Sequence, residues 1–113
     1  MKVIIYHNPQ CSNSRKALEI IRTSGIEPEI VEYLKTPLTR EELTALVTRM
    51  GVGARDIMRT KEAVYTDLGL DGASDAALLD AIAAHPALMN RPIVVTDKGV
   101  RLCRPAETVT KLL

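Results

Sequence analysis

Two cysteines, Cys11 and Cys103, are the most reactive side chains of this 113-residue sequence. Two thiols are too few for a disulfide scaffold or a four-thiolate zinc site, which leaves catalysis, redox exchange or packing. Cys11 stands among polar residues that include His7 and Arg15, surroundings typical of a reactive thiolate. A local dithiol would need a second cysteine three residues later, but that residue is Ser14. Cys11 therefore needs a thiol partner from elsewhere.

Three predicted elements position Cys11 in the first third of the chain. A β-branched run at residues 2–6 predicts a strand, helical spacing of apolar residues at 13–24 predicts a helix, and alternation at 29–33 predicts a second strand. A right-handed crossover makes the two strands parallel. Cys11 then lies at the N-terminus of the helix, where unpaired N–H groups and the helix dipole favour a thiolate.

The remainder of the sequence predicts helices, then a hairpin and a last helix. Helices are expected at residues 39–50 and 74–85, with a shorter helical segment at 55–60. Two strand-forming runs around a turn predict a hairpin over residues 92–103, and a proline can open a last helix at 105–113.

The order βαβ, helical insertion, ββα predicts an α/β fold with a four-stranded mixed sheet flanked by helices. This arrangement is the thioredoxin-like plan, in which a reactive cysteine follows the first strand. We expect a single domain over residues 1–113, with the helical insertion at about 39–89. Cys11 occupies the place of the reactive cysteine in that plan.

Composition and charge exclude several functional classes. With 46% hydrophobic and 26% charged residues, the composition is that of an ordinary globular protein. A formal charge of +1 and the absence of Phe and Trp argue against nucleic-acid binding. Apolar runs such as residues 93–95 are far shorter than the roughly 20 residues of a membrane span, and no signal-peptide pattern is present. We expect a soluble, cytoplasmic protein with no nucleic-acid or membrane partner.

Three segments of the sequence resemble one enzyme family. They read YHNPQCSNSR from residue 6, NRPIVVT from residue 90 and RLCRP from residue 101. With these motifs the chain is similar, over nearly its whole length, to the glutaredoxin-dependent arsenate reductases of the ArsC family. The resemblance implies a thioredoxin-like fold and a catalytic Cys11 in the family's His-Asn-Pro-x-Cys loop. It also implies a cis peptide bond between Arg91 and Pro92.

The resemblance further implies an oxyanion site built from three arginines, which carry over to Arg59, Arg91 and Arg104. A tetrahedral oxyanion needs rigid N–H donors and compensating positive charge around the attacking thiolate, and guanidinium groups supply both. His7 could favour the thiolate or move a proton, or it could be a loop residue satisfied by backbone groups. The supporting residues are His7, Asn8, Ser14, Arg15 and Pro92.

The activity that the resemblance implies is arsenate reduction, an oxidoreductase reaction of arsenic resistance and detoxification. The Cys11 thiolate would attack arsenate to form a thiol-arsenate intermediate. Glutathione, as cosubstrate, and glutaredoxin would then reduce the adduct and release arsenite. The expected partners are arsenate, glutathione and glutaredoxin. No metal and no bound organic cofactor are expected.

Three alternative functions compete with this interpretation. A phosphatase-like arsenate reductase needs an arginine six residues after its cysteine, and that residue is Ala17. Regulators of the Spx type, which bind RNA polymerase, usually carry a Cys-x-x-Cys switch, and Ser14 replaces its second cysteine. A related glutathione-dependent thiol reductase with a substrate other than arsenate remains the main alternative.

Cys103 is the only internal candidate for a resolving thiol. Side chains alternate between the two faces of a strand, so Cys103 should point away from the site if Arg104 points towards it. We therefore expect Cys103 to pack against a helix and to take no part in the reaction.

Overall fold

The computed structural model describes residues 1–113, and its strands form one four-stranded mixed sheet. Strand β1 (Ile4–His7) pairs in parallel with β2 (Glu29–Glu32) and antiparallel with β3 (Ile93–Thr96). Strand β3 pairs antiparallel with β4 (Gly99–Leu102), which gives the order β2-β1-β3-β4. The parallel βαβ unit and the hairpin of the sequence prediction are both confirmed.

The helices of the first unit, which comprises residues 1–36 and 91–113, pack on this sheet. Helix α1 spans Ser12–Thr23, and a 3₁₀ helix spans Ala106–Leu112. They enclose a core with one face of the sheet, and burying each large aliphatic side chain there stabilises the fold by about 1.5–3 kcal/mol. The buried members of this core cluster are Val3, Ile5, Ala17, Ile21, Val94, Cys103, Ala106, Val109 and Leu112.

The second unit, residues 37–90, is built from short helices. They are α2 (Arg40–Met50), α3 (Ala63–Asp67) and α4 (Asp75–Ala84), with 3₁₀ segments at Ala54–Ile57 and Pro86–Leu88.

The starts and stops of these helices follow their local sequence. Thr39 and Glu42 form the predicted capping box at the start of α2, because each side chain accepts the other's backbone N–H. Gly51 ends α2 with φ +71°, in the left-handed region that glycine tolerates best. Ser74 caps α4 by accepting the Ala77 N–H at 3.2 Å.

Two elements differ from the sequence prediction. The segment after Pro105 is a 3₁₀ helix, in which the Thr108 and Thr110 hydroxyls donate to carbonyls three residues earlier, at 2.8 and 2.9 Å. Threonines of this kind favour local hydrogen bonds over a regular α-helix. Helix α3 was not predicted, because five residues are too few for a periodic pattern.

The four-stranded mixed sheet flanked by helices is confirmed. The description of residues 1–113 as one domain with an insertion at about 39–89 stays a prediction. None of the helices combines the length and apolar character that a membrane span needs.

Candidate active site

The loop between β1 and α1 presents Cys11 at the start of the helix. The side-chain Oδ1 of Asn8 accepts the Gln10 N–H at 3.0 Å, and the backbone carbonyl of Asn8 accepts the Cys11 N–H at 3.0 Å. These two hydrogen bonds make a tight turn of the kind that asparagine favours. Cys11 is the N-cap residue of α1, with extended φ and ψ of −94° and 120°. Its thiol therefore lies where the first N–H groups of the helix have no intrahelical partner.

The surroundings of the Cys11 thiol favour its ionised form. Burial raises the pKa, but hydrogen bonds from the Arg91 side chain and from the backbone N–H groups of Ser14 and Asn13 lower it more. The result is a pKa of about 7, against an ordinary 9.0. About half of the Cys11 side chains are then thiolates at pH 7.

Two of the three predicted arginines lie at this thiol. The Arg91 side chain hydrogen-bonds Cys11, and the Arg104 Nη1 atom is 4.0 Å from its Sγ. The same Arg104 nitrogen donates to the Arg91 carbonyl at 2.9 Å, so the two arginines are joined. The peptide bond before Pro92 is cis, as the resemblance implies, and the bond before Pro105 is cis as well.

The third arginine, Arg59, lies in the second unit, just after the 3₁₀ segment at Ala54–Ile57. Its backbone N–H donates to the Leu88 carbonyl at 2.7 Å, and its Nη1 atom is 2.6 Å from Oε1 of Glu62. This ion pair holds the half-exposed guanidinium against a carboxylate. The part of Arg59 in an oxyanion site stays a prediction.

His7 and Ser14 form a buried pair beside the cysteine loop. The Ser14 hydroxyl oxygen lies 2.7 Å from Nδ1 of His7 and accepts the Asn8 N–H at 3.1 Å. Burial lowers the pKa of His7 below its ordinary 6.5 and outweighs the opposite effect of Glu32. His7 is therefore neutral at pH 7 and bound to a hydroxyl, whereas one sequence interpretation had it satisfied by backbone groups.

Cys103 lies in the core of the first unit. It is fully buried in the core cluster, and its Sγ donates to the Arg101 carbonyl at 3.6 Å. Burial raises the pKa of this thiol to about 11, so Cys103 stays protonated at neutral pH. The expectation that Cys103 packs against a helix is confirmed.

A nucleophilic thiolate, two guanidinium groups and the N-terminus of a helix together suit attack on a tetrahedral oxyanion. Comparison with known proteins identifies the family. Residues 6–112 match the model of the ArsC family. The chain belongs to the ArsC family.

Named relatives and solved structures of the ArsC family cover nearly the whole chain. It is 50% identical to an arsenate reductase of Escherichia coli (strain K12), over 98% of this chain and 80% of that relative. It is also 50% identical to an arsenate reductase of Rhizobium meliloti (strain 1021), over 100% of this chain and 82% of the relative. An arsenate reductase structure from Vibrio cholerae superposes with a TM-score of 0.96 at 44% identity, covering 100% and 98% of the two chains.

Sequence reasoning missed one polar residue of this ArsC-family site, Asn13. Its side-chain Nδ2 donates to the Cys103 carbonyl at 2.8 Å, and its Oδ1 accepts the Ala106 N–H at 2.9 Å. Its position in the first turn after Cys11 could have marked it as a site residue. Nothing in the sequence, however, pairs it with residues some ninety positions away.

Arg15 contacts the backbone of the cysteine loop. Its Nη1 atom donates to the Pro9 carbonyl at 2.9 Å, so the guanidinium braces the cysteine loop. Among the groups that set the pKa of Cys11, Arg91 supplies the positive charge. No group of three or more His, Cys, Asp or Glu side chains is placed to hold a metal ion.

Proposed function

We propose that this protein is an arsenate reductase that converts arsenate to arsenite through a thiol-arsenate intermediate on Cys11, with glutathione and glutaredoxin as the reductants. The observation that carries the proposal is the Cys11 thiol, with a pKa of about 7, held beside Arg91 and Arg104. The 50% identity to arsenate reductases supports arsenate as the substrate.

The first step is attack of the Cys11 thiolate on arsenic. A sulfur–arsenic bond forms, and one hydroxyl group of arsenate leaves as water after taking up a proton. Arg91 and Arg104 balance the negative charge on the remaining oxygens, since guanidinium N–H groups bind such oxygens with fixed geometry. The net charge of only +1 gives no strong long-range attraction for an anion, so binding has to come from local groups of this kind.

The second stage reduces the adduct with two electrons from two outside thiols. The glutathione thiol displaces a second hydroxyl, which leaves as water with the thiol proton, and forms its own sulfur–arsenic bond. The glutaredoxin thiolate then attacks the glutathione sulfur, and the electron pair of that sulfur–arsenic bond passes to arsenic, giving As(III) on Cys11. Water releases arsenite and regenerates the Cys11 thiolate, while glutaredoxin leaves as a mixed disulfide with glutathione.

The environment of Cys103 supports the use of outside thiols. A resolving thiol must reach the reacting sulfur as a thiolate, but Cys103 is fully buried and its pKa is raised to about 11. Reduction by glutathione and glutaredoxin would also fit a cytoplasmic enzyme with no bound cofactor.

His7 and Ser14 act in this proposal as positioning residues for Cys11. The Ser14 N–H donates to the thiol, and its hydroxyl is fixed by neutral His7. This pair holds the first turn of α1 in the orientation that the thiolate needs.

The test is an NADPH-coupled assay with glutathione, glutaredoxin and glutathione reductase. We expect NADPH oxidation that requires arsenate, both thiol components and Cys11. Cys11→Ser should abolish turnover, while the matched thiol control Cys103→Ser should retain most of it. Full thiol-dependent activity on another glutathione-linked substrate, without turnover of arsenate, would favour the alternative reductase. The absence of any thiol chemistry would favour a regulator.

A further inference from the structure

We propose that Asn13 is a positioning residue that holds Arg104, and through it Arg91, against the Cys11 thiol. Its side-chain amide bonds two backbone groups that lie on either side of Arg104 and Pro105. The effect that we expect on arsenate binding rests on the proposed function, whereas the effect on ionisation of the Cys11 thiol does not.

The amide of Asn13 connects the first turn of α1 to the end of the hairpin. Its Nδ2 donates to the carbonyl of Cys103 at 2.8 Å, and its Oδ1 accepts the N–H of Ala106 at 2.9 Å. The residues between these contacts are therefore fixed at both ends. Arg104 is itself exposed, so packing does not hold its side chain. The position of its backbone therefore limits where the side chain can reach.

The segment that Asn13 holds carries Arg104, whose side chain reaches the Cys11 thiol. The Arg104 Nη1 atom donates to the Arg91 carbonyl at 2.9 Å and lies 4.0 Å from Sγ of Cys11. The Arg91 side chain hydrogen-bonds the same sulfur, and so does the backbone N–H of Asn13. Asn13 thus contacts the thiol with its backbone and fixes both arginines with its side chain.

Only an amide of this length satisfies both backbone groups at once. The contact needs one donor and one acceptor on the same short side chain, which asparagine provides. Aspartate keeps the acceptor but has no donor for the Cys103 carbonyl, and alanine has neither.

The experiment compares Asn13→Ala with the control Ser12→Ala. Ser12 is the exposed neighbour in the same turn of α1, so the control carries the same substitution beside the same thiol. The readouts are the pH midpoint of iodoacetamide alkylation at Cys11, followed by peptide mass analysis, and the KM for arsenate in the coupled assay. Asn13→Ala should at least halve the thiolate fraction at pH 7 and raise KM at least threefold, while Ser12→Ala changes neither.

A second pair of variants covers the case in which Asn13→Ala does not fold. Asn13→Asp keeps the acceptor for Ala106, and Ser12→Asp places the same charge one residue away. A larger rise of the alkylation midpoint in Asn13→Asp supports the proposal. Equal rises in both aspartate variants, or a wild-type midpoint in Asn13→Ala, would overturn it. A shifted midpoint in a protein without arsenate turnover would leave the proposal standing and refute the proposed function.

Discussion

Replacing Arg91 by glutamine should return the Cys11 thiol towards ordinary behaviour. In the native site the pKa of Cys11 is lowered from 9.0 to about 7, although burial alone would raise it. That difference is on the order of 3 kcal/mol in favour of the thiolate. At pH 7, about half of the Cys11 side chains are thiolates when the pKa is about 7, against about 1% when it is 9.0.

Arg91 makes the largest contribution to that lowering, by its hydrogen bond to the sulfur, and adds a charge effect. The N–H groups of Ser14 and Asn13 remain in Arg91→Gln, so the pKa should rise only part of the way to 9.0. We expect the rise to cover at least about half of the difference, which is on the order of 1 kcal/mol. The thiolate fraction at pH 7 then falls at least about fivefold.

The assay for Arg91→Gln is the rate of iodoacetamide alkylation at Cys11 between pH 5 and pH 10. The midpoint of the profile is the quantity to compare, because a thiolate of higher pKa is also the stronger nucleophile and partly offsets the change in rate. Arg101→Gln is the matched control, since Arg101 is exposed on β4. A wild-type midpoint in Arg91→Gln, or an equal shift in Arg101→Gln, would refute the electrostatic reasoning.

The remaining predictions concern Arg104, the Arg59–Glu62 ion pair and Cys103. Arg104→Lys keeps the charge but loses the planar fork, so kcat/KM for arsenate should fall at least tenfold, about 1.4 kcal/mol; wild-type kinetics would place the anion site elsewhere. If Arg59 binds the anion, as the resemblance implies, Glu62→Gln frees it from a carboxylate 2.6 Å away, and KM for arsenate should fall about two- to fivefold, the range of a half-exposed ion pair. An unchanged KM would count against Arg59 as a ligand. The pKa of Cys103 is raised from 9.0 to about 11 in the fold, so the native state binds the thiol proton more tightly than the unfolded state does. The stability that comes from this tighter proton binding is lost as pH rises from 9 to 11. Denaturant unfolding of the wild type should therefore show up to about 3 kcal/mol of alkaline destabilisation that Cys103→Ala lacks, and parallel pH profiles would contradict the assignment.

Local signals predicted most of the fold. The capping box at Thr39, the stop at Gly51 and the β-branched strands depend on neighbouring residues, so the sequence alone revealed them. The place of Cys11 at the start of α1 followed from the same signals. The 3₁₀ form of the last helix did not, because it depends on hydroxyl hydrogen bonds rather than on apolar spacing.

The hydrogen bonds of the candidate site were less accessible to sequence reasoning. His7 and Ser14 were singled out separately, but their pairing depends on how the loop turns. The contact of Asn13 with Cys103 joins residues ninety positions apart, and only the folded chain brings them together. Side-chain pairs of this kind follow from tertiary structure, which a single sequence does not encode in any local pattern.

The most direct test of the central claim is the identity of the groups that accumulate on Cys11 when glutaredoxin is withheld. The protein is mixed with arsenate and glutathione in the absence of glutaredoxin, quenched with acid, and analysed by non-reducing intact and peptide mass measurement. We expect an adduct on Cys11 that contains glutathione, with Cys103 unmodified. A disulfide between Cys11 and Cys103, or an unmodified Cys11 in a protein that still reduces arsenate, would contradict it.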